Sequence, residues 1–198
     1  MKNGQPQHPI HSLLSTRWSP YAFSPRTVSD HDLQSLFTAA SWAASSFNEQ
    51  PWRYIVERQS GGPAFQAVLE CLSPPNQDWA RYAPVLAIGL FKTAFTRNGK
   101  LNRVALHDLG QAAANMATEA TARGLVIHQM AGVDLDRVRT LYAVPADFEP
   151  ATAIAIGYPA SPGDPSHASL SGRDAGTRTR RPLAEFVFAG KFGDAASF

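Results

Sequence analysis

The run Ala44-Ser45-Ser46-Phe47-Asn48-Glu49-Gln50-Pro51-Trp52-Arg53 joins two segments of opposite character. Upstream, Val28 to Ala43 carries apolar residues at Leu33, Leu36, Phe37 and Ala40, the spacing of a helix with one buried stripe. Downstream, Trp52-Arg53-Tyr54-Ile55-Val56 is aromatic and β-branched and reads as a strand. The join must turn, because Pro51 lacks an N–H and biases Gln50 away from helical geometry. Its serines, asparagine and glutamine can hydrogen-bond a ligand. Ordinary turn chemistry between two elements accounts for them equally well.

Working outward, Ser29 with Asp32 three residues later forms a capping box at the helix start. After the strand, Gly61-Gly62-Pro63 is punctuation. Pro63 suits a first helical turn, and Phe65, Val68, Leu69 and Leu72 give that helix its stripe. Ser73-Pro74-Pro75 stops it. The stretch from Asn76 to Pro84 leads into Val85-Leu86-Ala87-Ile88-Gly89-Leu90-Phe91, apolar on both faces as a central strand is. Residues 92–103 are polar and read as a loop. Val104 to Arg123 is the longest helix candidate, with Leu109, Ala112, Ala113, Met116 and Ala120 on one face and Gly124 as its stop. Such small residues admit a close helix neighbour, from this chain or from a partner. His107 and Asp108 are adjacent, a spacing that does not make residues face each other on a helix, so no catalytic pair is read there. Leu125 to Met130 reads as a strand, Asp134 as the cap of a helix carrying Leu135, Val138 and Leu141, and Ala151 to Tyr158 as another core strand. Residues 159–177, rich in Pro, Gly and Ser, read as a loop or lid, and Leu183, Phe186, Val187 and Phe188 give the tail an apolar face.

The chain has 198 residues, 44% hydrophobic and 17% charged, enough for one sizeable core. A net charge of +2 does not call for nucleic acid. Arg173, Arg178, Arg180 and Arg181 crowd one late segment, which suits a small anion better than a long polyanion; a solvated tail is the plain alternative. Cys71 is the only cysteine, so no intrachain disulfide forms, as fits a reducing cytoplasm. Residues 1–12 read as a flexible leader, without the apolar run of a signal peptide, and 13–198 as a single domain. His8 and His11 alone do not make a metal site. No apolar run nears the roughly 20 residues of a membrane helix. No Gly-x-Gly-x-x-Gly follows a strand, which disfavours a Rossmann site.

Ser-Ser-Phe-Asn-Glu-Gln-Pro-Trp after an Ala-rich helix resembles the signature of the nitroreductase family, flavin enzymes that use FMN; Ala44 stands where that family usually has proline. Arg17-Trp18-Ser19-Pro20-Tyr21-Ala22-Phe23 resembles the family's first FMN motif, Arg-x-Ser-x-Lys/Arg-x-Phe, with Tyr21 in place of the usual cation. Matches run in order from Arg17 to Pro182. The resemblance implies cofactor contacts from Arg17, Trp18, Ser19 and Tyr21; from Ala44, Ser45, Ser46, Asn48 and Gln50; from Asn76 on the flavin ring; from backbone N–H groups near Ala131 and Gly132 on flavin N5 and O4; and from Arg178 and Arg180 on the FMN phosphate. Trp79 stands where a Lys often follows Asn76.

The resemblance also implies an α+β three-layer sandwich, a central mostly antiparallel sheet flanked by helices. It implies a homodimer with FMN sites at the subunit interface and an exchanged C-terminal arm. The chemistry it implies is ping-pong hydride transfer from NADH or NADPH through FMN to a nitroaromatic, quinone or similar small acceptor, with no metal and no acid–base side chain. Reductive dehalogenation or flavin destruction on the same fold, and a flavin-binding homologue without turnover, are the rival readings. With Tyr21 and Trp79 replacing cations, the flavin is expected to be harder to reduce than in lysine-bearing relatives, unless Arg53 or Arg81 supplies the charge.

Overall fold

The computed structural model describes residues 5–161 and 168–198. The first four residues of the expected leader lie outside them. The frame is a sheet of β1 (Trp52–Arg58), β2 (Val85–Lys92), β3 (Val126–Met130) and β4 (Phe148–Gly157), in spatial order β1-β2-β4-β3. Every neighbouring pair is antiparallel, with Ile55 opposite Ile88, Ile88 opposite Ala153 and Gln129 opposite Ile154.

The alternation of side chains along a strand divides the interior in two. Leu86, Ile88 and Leu90 of β2 and Ala153 and Ala155 of β4 join one core. Val85, Ala87, Ile154 and Ile156 join the other. The first is covered by α3 (Pro63–Glu70), α4 (Pro74–Ala80) and α6 (Leu135–Leu141), through Phe65, Val68, Trp79 and Val138. The second is covered by α2 (Asp30–Ser41) and α5 (Ala105–Ala122), through Leu33, Leu36, Leu109 and Met116. This is the three-layer α+β sandwich that the resemblance implies. Fully buried side chains such as Leu36, Ile88 and Ile156 each contribute about 1.5–3 kcal/mol by leaving water.

Local chemistry sets the element ends. Ser29 Oγ accepts the Asp32 N–H at 3.0 Å, and its hydroxyl donates to Asp32 Oδ2 at 2.8 Å, which closes the capping box of α2. Asp134 caps α6 by accepting the Arg137 N–H at 2.9 Å. At the end of α5, Gly124 takes a φ of 72°. The Leu125 N–H then reaches back to the Ala120 carbonyl at 2.8 Å, the geometry of a Schellman stop.

The structure departs from the sequence reading at several points. A one-turn helix α1 (Ser12–Thr16) begins inside the expected leader, where His11 Nδ1 accepts the Leu13 N–H at 3.2 Å. Pro74 and Pro75 stop α3 but also start α4, since a proline in a first helical turn loses no hydrogen bond. β4 begins at Phe148, ahead of the expected Ala151. Its Pro150 pairs with Leu90 where the register shifts between Gly89 and Leu90, an irregularity that tolerates a missing N–H. In α6 only Val138 is buried, while Leu135 and Leu141 are exposed. Part of the expected loop at 159–177 is helix α7 (Ala168–Asp174), and 162–167 lie outside the described residues. The small-residue face of α5 is buried within this chain. α5 leaves Leu106, His107, Gly110, Ala114, Asn115 and Ala122 exposed. No helix among the described residues is long and apolar enough to cross a membrane.

Candidate functional site

Arg17 leaves the end of α1, where its N–H still bonds the Leu13 carbonyl at 3.2 Å. Its Nη1 donates to Ser19 Oγ at 3.3 Å. Far along the chain, Arg178 Nη1 donates to the Ser15 carbonyl at 2.5 Å, tying the late segment to α1. Arg180 Nη1 holds the Thr179 carbonyl at 2.7 Å. Arg17, Trp18, Ser19, Tyr21, Arg178 and Arg180 thereby line one cleft of about 240 Å³. Burial, then the charges of Arg178 and Arg180, push the Arg17 pKa below its ordinary value. Burial and Arg180 do the same to Arg178. Positive charge is crowded here, and an anion would relieve it. Asp174 also borders the cleft, but its carboxylate accepts the Tyr21 N–H at 2.9 and 3.2 Å and the Ala22 N–H at 3.1 Å. A phosphate group therefore fits the donor set, through charge-assisted hydrogen bonds.

Aromatic packing supports this segment from below. The Tyr21 ring meets Trp79 edge-on at 5.3 Å and His128 at 4.8 Å. His128 Nδ1 bonds the Pro20 carbonyl at 2.8 Å, and burial is the main cause that lowers its pKa, so the neutral ring is the donor. Trp79 lies fully buried, nearly parallel to Phe23 at 6.3 Å. It is a core residue, and its identity does not mark a cation missing from the cleft. Arg53 lies over the Phe148 ring and Arg81 pairs with Asp78 at 3.7 Å; neither lines the cleft.

Asn76, Ala131 and Gly132 form a second group. The Gly132 carbonyl accepts the Ser73 N–H at 2.9 Å and Asn76 Nδ2 at 3.3 Å. A Cβ on Gly132 would fall 2.5 Å from Ser73 Oγ and 2.7 Å from Asn76 Nδ2. Only glycine lets the turn after β3 approach the start of α4 so closely. Asn76 is thus a helix residue of α4, held against the turn.

The run 44–50 forms a third group. Four non-glycine residues among those described have positive φ, and three lie here: Phe47 at 55°, Asn48 at 56° and Gln50 at 50°. Such backbone is costly and persists only where the surroundings hold it. Ser45 Oγ accepts the Gln50 N–H at 3.0 Å. Glu49 Oε1 accepts the Thr96 N–H at 2.8 Å and the Thr96 hydroxyl at 2.5 Å; the hydroxyl bond is the largest cause that holds the Glu49 carboxyl below its ordinary range. The buried Asp108 carboxylate accepts the Ser46 N–H at 3.0 Å. His107 Nδ1 also lies 3.3 Å from Asp108 Oδ1, so the two do meet despite being adjacent, the short side chains bending along the helix surface. Asp108 anchors the loop. Phe47 is 70% exposed, edge-on to Phe95 at 5.6 Å with the Arg97 guanidinium over it at 3.8 Å. Ala44, Ser45, Ser46, Asn48 and Gln50 do not line the guanidinium cleft of their own chain.

Sequence reasoning marked Arg173 only as one of a late arginine cluster suited to a small anion, and it missed Asp108 and Asp174. Asp108 was visible as a lone acid in the first turn of an apolar helix. Asp174 left no signal within a Pro, Gly and Ser-rich stretch.

The model of the nitroreductase family matches residues 14–61 and 57–158. A solved oxidoreductase containing FMN is 29% identical, with a TM-score of 0.87 over 98% of this chain and 100% of its own. An uncharacterized 15.4 kDa protein of Mycolicibacterium smegmatis is 35% identical over 94 residues, 46% of this chain and 61% of that protein. An Archaeoglobus fulgidus protein named NADH dehydrogenase/NAD(P)H nitroreductase is 44% identical over 46 residues, 23% of this chain and 26% of its own. The chain thus spans less than two thirds of the length of these two curated relatives.

Proposed function

The chain belongs to the nitroreductase family, and on that premise we propose that it is an FMN-dependent oxidoreductase, passing electrons from NADH or NADPH to a nitroaromatic, quinone or similar acceptor by a ping-pong hydride mechanism. The observation that carries this reading is the cleft in which Arg17, Arg178 and Arg180 crowd positive charge. The three guanidiniums hold the FMN phosphate, and Ser19 shares it. The Asn76 carboxamide and the backbone at Ala131 and Gly132 hold and orient the ring. FMN, once bound, supplies the hydride-accepting chemistry. No side chain is assigned as acid or base. Asp108 is engaged by the Ser46 N–H, and His107 Nδ1 lies 3.3 Å from Asp108 Oδ1 and 3.2 Å from Gln111 Nε2.

The reading includes a homodimer. The run 44–50 is strained, anchored and away from the cleft of its own chain, which suits a segment that completes the cleft of a second copy. Phe186, Phe192 and Phe198 of the tail are exposed, as an arm would be before it docks on a partner. We assign residues 13–198 to one FMN domain acting in the cytoplasm, with no nucleic acid or membrane partner.

The test is steady-state kinetics of the FMN-loaded protein with NADH or NADPH and a quinone or nitroaromatic acceptor. Parallel double-reciprocal lines are expected. Intersecting lines would remove the ping-pong order, and no nucleotide oxidation with any acceptor would remove turnover.

A further inference from the structure

The 17–23 segment carries a tyrosine where a cation is expected, yet the space beside that tyrosine is not neutral. The Arg173 guanidinium lies 3.7 Å from the centroid of the Tyr21 ring. Arg173 borders the same cleft as Arg17, Arg178 and Arg180. Two features fix its place. The next residue, Asp174, clamps the Tyr21 and Ala22 N–H groups, which pins the end of α7 onto the segment. The Tyr21 ring is itself held edge-on against both Trp79 and His128. A guanidinium stacked on a ring keeps its five N–H donors in its own plane, available to a ligand at the ring's edge. Among the described residues no ion pair engages Arg173.

We propose that Arg173, delivered from α7 and stacked on Tyr21, is a fourth cofactor-binding cation that returns to the cleft the positive charge its own segment lacks. This rests on the FMN reading above. A cation beside the cofactor favours the state that carries more negative charge, which is the state after two electrons are taken up. Arg173 therefore offsets the effect expected from Tyr21: it raises the two-electron midpoint potential of bound FMN and adds to FMN affinity. The sequence shows Arg173 only as one of a late arginine cluster; its contact with Tyr21 joins two distant segments and leaves no pattern in either.

The experiment compares wild type, Arg173→Gln and Arg173→Lys by FMN titration, by anaerobic potentiometry of the bound flavin and by thermal melting of the apoprotein. Arg173→Gln should raise the Kd for oxidised FMN several-fold and lower the midpoint by about 30 mV, a tenfold preferential loss of affinity for the reduced state. Arg173→Lys, which keeps the charge, should restore most of the potential, and the three apoproteins should melt together. An unchanged Kd and midpoint in Arg173→Gln would overturn the proposal. So would a lysine variant no better than glutamine, or an apoprotein destabilised to the same degree as FMN is lost, since each would make Arg173 a packing residue. A wild type that binds no FMN would instead remove the reading on which it rests.

Discussion

Arg17→Gln perturbs the cleft at its most crowded point. In the wild type, burial and the neighbouring Arg178 and Arg180 all disfavour the charge on Arg17. The apoprotein therefore gains little from keeping that charge, and the ligand is what makes it favourable. A charge-assisted hydrogen bond to a phosphate is worth about 1.5–3 kcal/mol. At about 1.4 kcal/mol per tenfold, loss of the Arg17 bond should weaken FMN binding roughly 10- to 150-fold. Riboflavin, which has the same ring and no phosphate, should bind wild type and variant nearly alike. The apoprotein Tm should hold or rise, because a repelled charge is gone while the lost Ser19 contact is exposed. The assay is flavin fluorescence quenching with each ligand at one fixed salt concentration, since screening weakens exposed charge interactions. The reasoning fails if the FMN Kd is unchanged. It also fails if FMN and riboflavin weaken equally, because the residue would then be shaping the ring site.

Gly132→Ala should leave the fold intact but displace Ser73 and the Asn76 carboxamide, weakening FMN binding by roughly tenfold or more, read by the same titration; an unchanged Kd would show that this turn does not face the cofactor. Asp108→Ala should leave the Ser46 N–H unpaired, costing about 1–3 kcal/mol and lowering Tm by roughly 2–12 °C; an equal Tm in thermal melts would mean the loop holds itself. His128 has a folded-state pKa below its unfolded value, so the unfolded chain takes up the proton first as pH falls. Its contribution is thus complete above about pH 6.5 and declines below it. Urea midpoints at pH 7.5, 6.5 and 5.5 should fall less steeply for His128→Gln than for wild type, and equal slopes would exclude His128 as a source of acid sensitivity.

What was legible in the sequence was what local physics determines. The apolar run of β2, the stripe of α5 and the caps Ser29 and Asp134 each follow from periodicity or from one short-range hydrogen bond. The guanidinium cleft was legible only through the resemblance, since no periodicity joins Arg17 to Arg178. The failures share a cause. Asp108 reaches Ser46 across 62 residues, and Asp174 reaches Tyr21 across 153, and such carboxylate-to-backbone contacts leave no pattern in either segment. Pro74 and Pro75 misled because a proline pair ends one helix and begins the next with the same chemistry. Trp79 misled because a position in a motif does not say which face of α4 it occupies; the face is that of the core.

The most direct test follows the visible absorbance of protein-bound FMN under anaerobic conditions. NADH and NADPH are added in separate runs, and a quinone is added once the signal is steady. The band should bleach with at least one nucleotide and return in proportion to the quinone supplied. A chain that holds no FMN, or one whose FMN is bleached by dithionite but by neither nucleotide, would contradict the account.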